Sequence, residues 1–134
     1  MYTFETSIRV RYGETDQMGY VYYGNYPLYY EVGRTEMLRS VGLTYRAMEE
    51  EGILLPVRSL IIKYIEPAHY DDLLCLRVII KELPTAKIHF YYELYNEEKT
   101  LLNTGETTLV FVDAKTRRPR RAPEALMTEL KKFF

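Results

Sequence analysis

The chain is poor in several of the residues that carry chemistry. It has one cysteine, two histidines, no tryptophan and a formal net charge of −1 across 134 residues. A lone Cys75 rules out an intrachain disulfide and a cysteine-rich metal site. It sits in the strand-like run Leu73-Leu74-Cys75-Leu76-Arg77-Val78-Ile79-Ile80, where a small buried thiol is expected, not a nucleophile. His69 and His89 lie on different segments and match no local metal-ligand spacing, so no metal or other cofactor is implied. An estimated pI of about 6.2 leaves no excess of basic charge for a nucleic-acid footprint. No stretch approaches the roughly 18 to 20 apolar residues of a membrane-spanning helix, and Met1 to Glu5 lacks the basic start of a secretion signal. A cytoplasmic protein without a membrane span is expected. Repeats, linkers and low-complexity tracts are missing too, so residues 1–134 read as a single domain, small enough to gain from a partner subunit.

What the chain does have is one distinctive stretch, Arg11-Tyr12-Gly13-Glu14-Thr15-Asp16-Gln17-Met18-Gly19-Tyr20-Val21-Tyr22-Tyr23-Gly24-Asn25-Tyr26-Pro27. Ahead of it Ile8, Val10 and Tyr12 alternate with Ser7, Arg9 and Arg11, the pattern of a half-buried strand. Behind it, Asn25 as N-cap, Pro27 in the first turn and Gly42 as a stop predict a helix from about Tyr26 to Val41. Asp16, Gly19 and Gly24 lie between the two elements.

The first amides of a helix have no intrahelical acceptor and sit at the positive end of its dipole. A carbonyl oxygen gaining negative charge is stabilised there, with Tyr23 or Gly24 as the N–H donor. If Asp16 packs against the same helix start, its carboxylate reaches the carbonyl carbon or a water attacking it. The bland alternative is that Asp16 caps a turn in Glu14-Thr15-Asp16-Gln17. Glu14 is the control, since a second carboxylate two residues away could substitute, and Glu14→Gln is expected to be mild.

The run Asp16 to Tyr26, followed by Tyr30-Glu31 and Arg34-Thr35-Glu36, resembles the signature of the hotdog-fold acyl-CoA thioesterases of the 4-hydroxybenzoyl-CoA thioesterase and YbgC type. Pro56-Val57-Arg58-Ser59, Tyr64-Ile65-Glu66-Pro67-Ala68 and Tyr70-Asp71-Asp72-Leu73-Leu74 are similar to that family's second and third strands, so the resemblance covers roughly residues 5–113. It implies that Asp16 is nucleophile or general base and that the Tyr23 backbone amide binds the thioester oxygen. Gly19, Tyr22, Gly24 and Asn25 are then expected to line the substrate position. Many YbgC-like members carry histidine where this chain has Tyr23, whereas the hydroxybenzoyl-CoA branch carries tyrosine. The family uses that position through its main chain, so the oxyanion role survives the change, but a histidine-assisted mechanism has no support.

The predicted helix repeats Tyr26, Tyr29, Tyr30, Gly33 and Met37, with Leu28, Val32 and Leu38 beside them, and much of its circumference is apolar, as in a buried helix. Gly33 costs about 1 kcal/mol in a helix interior, which points to a close approach by sheet or partner backbone. A short helix is predicted from about Tyr45 to Glu51, ended by Gly52, and another in the tail from Pro123 to Phe134. Strands are predicted where Leu60, Ile62 and Tyr64 alternate with Ile61, Lys63 and Ile65, and where Leu74, Leu76, Val78 and Ile80 alternate with Cys75, Arg77 and Ile79. Another holds Ile88, Phe90, Tyr92 and Leu94 with His89 on the opposite face, and a last long one runs from Leu101 to Val112. Pro84-Thr85, Asn96 to Lys99 and Asp113 to Thr116 read as the turns.

Fourteen tyrosines against five phenylalanines is a marked bias, and Tyr20, Tyr22, Tyr23, Tyr26, Tyr29 and Tyr30 crowd the site stretch. Such residues suit either an acyl groove or a subunit interface. The dense basic run Arg117-Arg118-Pro119-Arg120-Arg121 is either a solvated turn or, with Lys87, a contact for coenzyme A phosphates; Lys87 and Arg118 are the candidates. The expectation is an α+β hotdog domain with a mostly antiparallel five- or six-stranded sheet wrapped around one long helix, as a homodimer or homotetramer. Its expected activity is hydrolysis of an acyl-CoA thioester, with an acyl-acyl-carrier-protein donor left open. The alternative is a non-catalytic acyl-CoA or lipid sensor. A dehydratase is disfavoured, because such hotdog chemistry relies on a histidine and neither His69 nor His89 is expected near the site stretch.

Overall fold

The computed structural model describes residues 1–134. In chain order the elements are β1 (Tyr2–Arg9), α1 (Tyr26–Ser40), α2 (Tyr45–Glu50), β2 (Ile53–Leu54), β3 (Val57–Tyr64), β4 (Leu73–Ile80), β5 (Lys87–Tyr95), β6 (Leu101–Val110), β7 (Val112–Asp113) and α3 (Glu124–Leu130). Five strands make one antiparallel sheet in the order β1-β4-β5-β6-β3, and β2 pairs with β7 beside it.

Period-two burial explains the sheet. Leu74, Leu76, Val78 and Ile80 of β4, and Ile88, Phe90, Tyr92 and Leu94 of β5, are all buried on the face that receives α1. The helix buries Tyr26, Tyr29, Tyr30, Gly33, Arg34, Met37 and Leu38 there. It is not enclosed all round, however, since Leu28 and Val32 on the far side are exposed. Gly33 does mark a close approach, but by side chains: a Cβ there would overlap Leu76 and Val78. Gly105 of β6 plays the matching part in the sheet, because a Cβ would run into the Tyr30 ring. That ring stacks flat on Tyr92 at 4.1 Å between centroids, and its hydroxyl donates to the buried Asn103 side chain.

Other details depart from the sequence pattern. β1 ends at Arg9, so Tyr12 falls in a short 3-10 turn (residues 12–14) and is 76% exposed instead of continuing the inner face of Ile8 and Val10. The last long strand stops at Val110; the chain turns at the buried Phe111 and then pairs Val112 with Leu54. Cys75 points to the outer face of β4 and is half-buried beside Glu5, where burial, helped by that carboxylate, pushes its thiol pKa up. His89 lies on the outer face as expected, against Thr108 at 2.8 Å. No helix is long and apolar enough to cross a membrane. The outer edge of β3 is the barest part of the sheet, with Leu60 42%, Ile61 61% and Tyr64 50% exposed.

Candidate active site

The stretch from Arg11 to Pro27 folds as a closed loop at one end of the sheet. Asp16 and Tyr20 form its tip: the Asp16 N–H donates to the Tyr20 carbonyl at 2.8 Å, and the Gly19 N–H donates to the Asp16 carbonyl at 3.0 Å. Gly19 has φ +81°, a left-handed conformation that glycine adopts without strain. Thr15 and Val21 bridge below the tip, and Val21 anchors it by donating to Ala68.

Asp16 itself combines both readings of the sequence. Its Oδ1 accepts from the Met18 N–H at 2.9 Å and the Tyr20 N–H at 3.2 Å, which is the turn-capping role. Oδ2 accepts from no group of the protein, so one oxygen fixes the carboxylate and the other is open. The side chain lines a groove of about 260 Å³ with Met18, Tyr20, Tyr23, Tyr26, Tyr64 and Glu66 among its walls.

The opposite wall is the entry to α1. Tyr23 to Asn25 form a single 3-10 turn that leads straight into the helix. The Asn25 N–H donates to the Tyr22 carbonyl, but the N–H groups of Tyr23 and Gly24 find no acceptor in the protein. Two adjacent unbonded donors at a helix start can stabilise an acyl-transfer oxyanion, and Tyr23 lines the same groove as Asp16. Asn25 does not cap the helix with its side chain. Its backbone is already helical, and its amide reaches back to the Glu14 carbonyl at 2.9 Å.

Tyrosines supply the rest of the wall. Tyr64 donates to the Tyr23 carbonyl at 3.3 Å, and the Tyr26 hydroxyl accepts from the Ala68 N–H. Burial, with Tyr64 and Asp16 nearby adding to it, pushes the Tyr26 phenol above its ordinary range. The Gly24 Cα faces the Tyr22 ring, and a Cβ there would collide with it. Tyr22 is half exposed and packs on Tyr23 at the rim, 4.8 Å between centroids, rather than in the groove.

Three placements were not legible in the sequence. Glu14 is more than a second carboxylate: its side chain is 15% exposed and takes bonds from Arg11 and Tyr29. Partial burial raises its pKa, but the hydrogen bonds from the Arg11 backbone, Tyr29 and the Arg11 side chain outweigh that and hold it below its ordinary value. His69, though distant in sequence, pairs with Tyr20 at the loop tip, their rings 5.4 Å apart, yet it does not line the groove. Lys87 and Arg118 lie at the other end of the sheet. Lys87 opens β5 opposite Val110, whereas Tyr64 and Asn103 mark the Asp16 end, so they stand about 23 Å apart along the strands. The largest hollow, about 750 Å³ between Arg34, Tyr45, Val57 and Arg117, is also at that far end and contains neither Asp16 nor the open amides.

Comparison with known proteins identifies the family. The sequence profile described as the thioesterase-like superfamily matches residues 10–130. The acyl-CoA thioester hydrolase YbgC of Escherichia coli O6:H1 is 35% identical over 128 residues, 96% of each chain. The putative acyl-CoA thioesterase YneP of Bacillus subtilis is 35% identical over 119 residues, covering 89% of this chain and 86% of that one. Among solved structures, a DHNA-CoA thioesterase from Staphylococcus aureus superposes with a TM-score of 0.93 at 30% identity, covering 99% of this chain and 91% of its own. One long helix laid on a five-stranded antiparallel sheet is the hotdog fold. The chain belongs to the thioesterase-like superfamily and is a thioester hydrolase.

Proposed function

We propose that this protein hydrolyses the thioester of an acyl-CoA to the free acid and CoA, acting as one domain over residues 1–134. The observation that carries the reading is the open Oδ2 of Asp16, in a groove that Tyr23 also lines, with the N–H groups of Tyr23 and its neighbour Gly24 unbonded within the protein. The thioester carbonyl oxygen sits on those amides. Asp16 either attacks the carbonyl carbon or takes a proton from the water that does. Negative charge then develops on the oxygen, where the amides and the helix dipole stabilise it, and collapse expels the CoA thiolate; with water as the attacking group this gives the free acid directly, and with Asp16 attacking it leaves an acyl-Asp16 anhydride that water then hydrolyses to the acid and the free carboxylate. Tyr64 and Tyr26 line one side of the groove. The acyl-CoA part of the reading draws support from the names of YbgC and YneP.

The same reading includes a two-fold dimer through the β3 edge. Antiparallel pairing of β3 with its own copy keeps both helices on one face only if a residue pairs with itself at the axis, and the strand's middle puts that residue at Leu60 or Ile61. Centred on Ile61, it sets Tyr64 opposite the partner's Arg58. The Lys87 and Arg118 end of one subunit then faces the Asp16 end of the other, and a coenzyme lying across the interface meets both. The test is a panel of aliphatic and aromatic acyl-CoAs with release of free thiol as the readout. Turnover supports hydrolysis; tight binding of every acyl-CoA without thiol release would instead identify a sensor.

A further inference from the structure

Glu14 is the point at which the loop, the helix and the strand end meet. Its Oε1 accepts from the Arg11 N–H at 2.8 Å and from the Tyr29 hydroxyl at 2.9 Å. Its Oε2 takes the Arg11 guanidinium at 3.1 and 3.3 Å. Its own carbonyl accepts from the Tyr22 N–H and the Asn25 side-chain amide, both at 2.9 Å. The main-chain bond closes the loop from Glu14 to Tyr22, which carries Asp16 within it and delivers Tyr23 at its exit. The side chain pins that closed loop to Tyr29, in the first turn of the same helix whose start bears the open amides.

We infer that Glu14 is a positioning residue for the reaction: through Tyr29 it sets the separation between the Asp16 carboxylate and the oxyanion donors at Tyr23 and Gly24. The inference rests on the hydrolytic reading above. It also specifies which atom matters. Oε1 alone holds both the helix and the strand end, while Oε2 meets only Arg11, whose side chain is 81% exposed. Glutamine keeps an Oε1 acceptor and alanine does not. Glu14→Gln therefore retains most of the parent rate, and Glu14→Ala does not.

Kinetics on the full chain test this. Misplacement of about 1 Å costs up to about 100-fold, so Glu14→Ala and Tyr29→Phe are each expected to lower kcat by roughly 10- to 100-fold with KM little changed. In an Asp16→Asn background, where the carboxylate chemistry is already lost, adding Glu14→Ala should change the residual rate by less than about twofold. A residue that only stabilised the fold would lower that residual rate by the same factor as in the parent, and this result overturns the inference. So does a kcat for Tyr29→Phe within about twofold of the parent, a comparison that decides the matter even if Glu14→Ala does not fold. If Asp16→Asn alone keeps the parent rate, the hydrolytic reading and this inference fall together. If Asp16→Asn collapses while Glu14→Ala and Tyr29→Phe do not, only this inference falls.

Discussion

Replacing Ile61 by lysine places a charge at the centre of the barest strand edge in the molecule. Ile61 is 61% exposed on the outer face of β3, opposite Glu106 of β6, with its other side unpartnered. In the proposed dimer centred there, each Ile61 packs against its own copy. Fully burying an isoleucine stabilises by about 1.5–3 kcal/mol, so completing the burial of the part now exposed contributes about 1–2 kcal/mol per subunit. The two-fold axis doubles this to about 2–4 kcal/mol, and two lysines directly opposite each other add repulsion. The dimer dissociation constant should rise by roughly 30- to 1000-fold. Sedimentation velocity across a dilution series reads this directly, and thiol release at the same protein concentrations, with substrate held below KM, should fall with the dimer fraction, because the site then lacks the partner's basic end. The reasoning is refuted if the parent is monomeric at micromolar concentration, or if Ile61→Lys dissociates and keeps full specific activity.

Three further outcomes are expected. Replacing Lys87 and Arg118 by alanine should raise KM with kcat little changed, the signature of binding lost equally from ground and transition states; an unchanged KM returns both residues to the solvated surface. Gly105→Ala, which drives a methyl into the Tyr30 ring stacked on Tyr92, should destabilise by about 1–3 kcal/mol or more in urea unfolding, and a neutral result would show that Tyr30 moves freely. Glu14 has a folded pKa below its ordinary 4.5, so its contribution is present above that value and is lost as pH falls through the lowered one. The stability gap between parent and Glu14→Gln should therefore hold steady above pH 4.5 and shrink as the pH falls below it, and a gap constant with pH would contradict the assigned hydrogen bonds.

The parts of this structure that a sequence exposes are those set by local periodicity. Alternation in Leu74 to Ile80 and Ile88 to Leu94 marks the core strands because each inward residue meets the same helix. The glycine at 42 and the tyrosine spacing mark α1 for equally local reasons. Asp16 stands out as a candidate because the run from Asp16 to Tyr26 resembles a family signature, and its turn-capping bonds to Met18 and Tyr20 are local as well. What escaped depends on tertiary partners. Tyr12 continues the apolar alternation of β1, but the chain bends before reaching it. Asn25 has the composition of a cap, yet its amide is claimed by Glu14, eleven residues earlier. Glu14 reads from sequence only as a second carboxylate, because its bond to Tyr29, fifteen residues on, is tertiary. His69 reaches the loop tip only through the bridge to Tyr20. The separation of Lys87 and Arg118 from Asp16 follows from strand register, which no local pattern encodes.

The central claim is that the open oxygen of Asp16 performs the chemistry, and Asp16→Asn tests it most directly. Asparagine keeps an Oδ1 able to accept from the Met18 and Tyr20 amides, so the loop tip should survive, while the nucleophile and general base are both removed. General-base assistance alone is worth roughly 10²- to 10⁴-fold. Measured by thiol release, kcat should fall by at least that range, with melting temperature and affinity for the product acid close to those of the parent. A kcat that stays near the parent value, or that falls only in step with a drop in stability, would contradict the account.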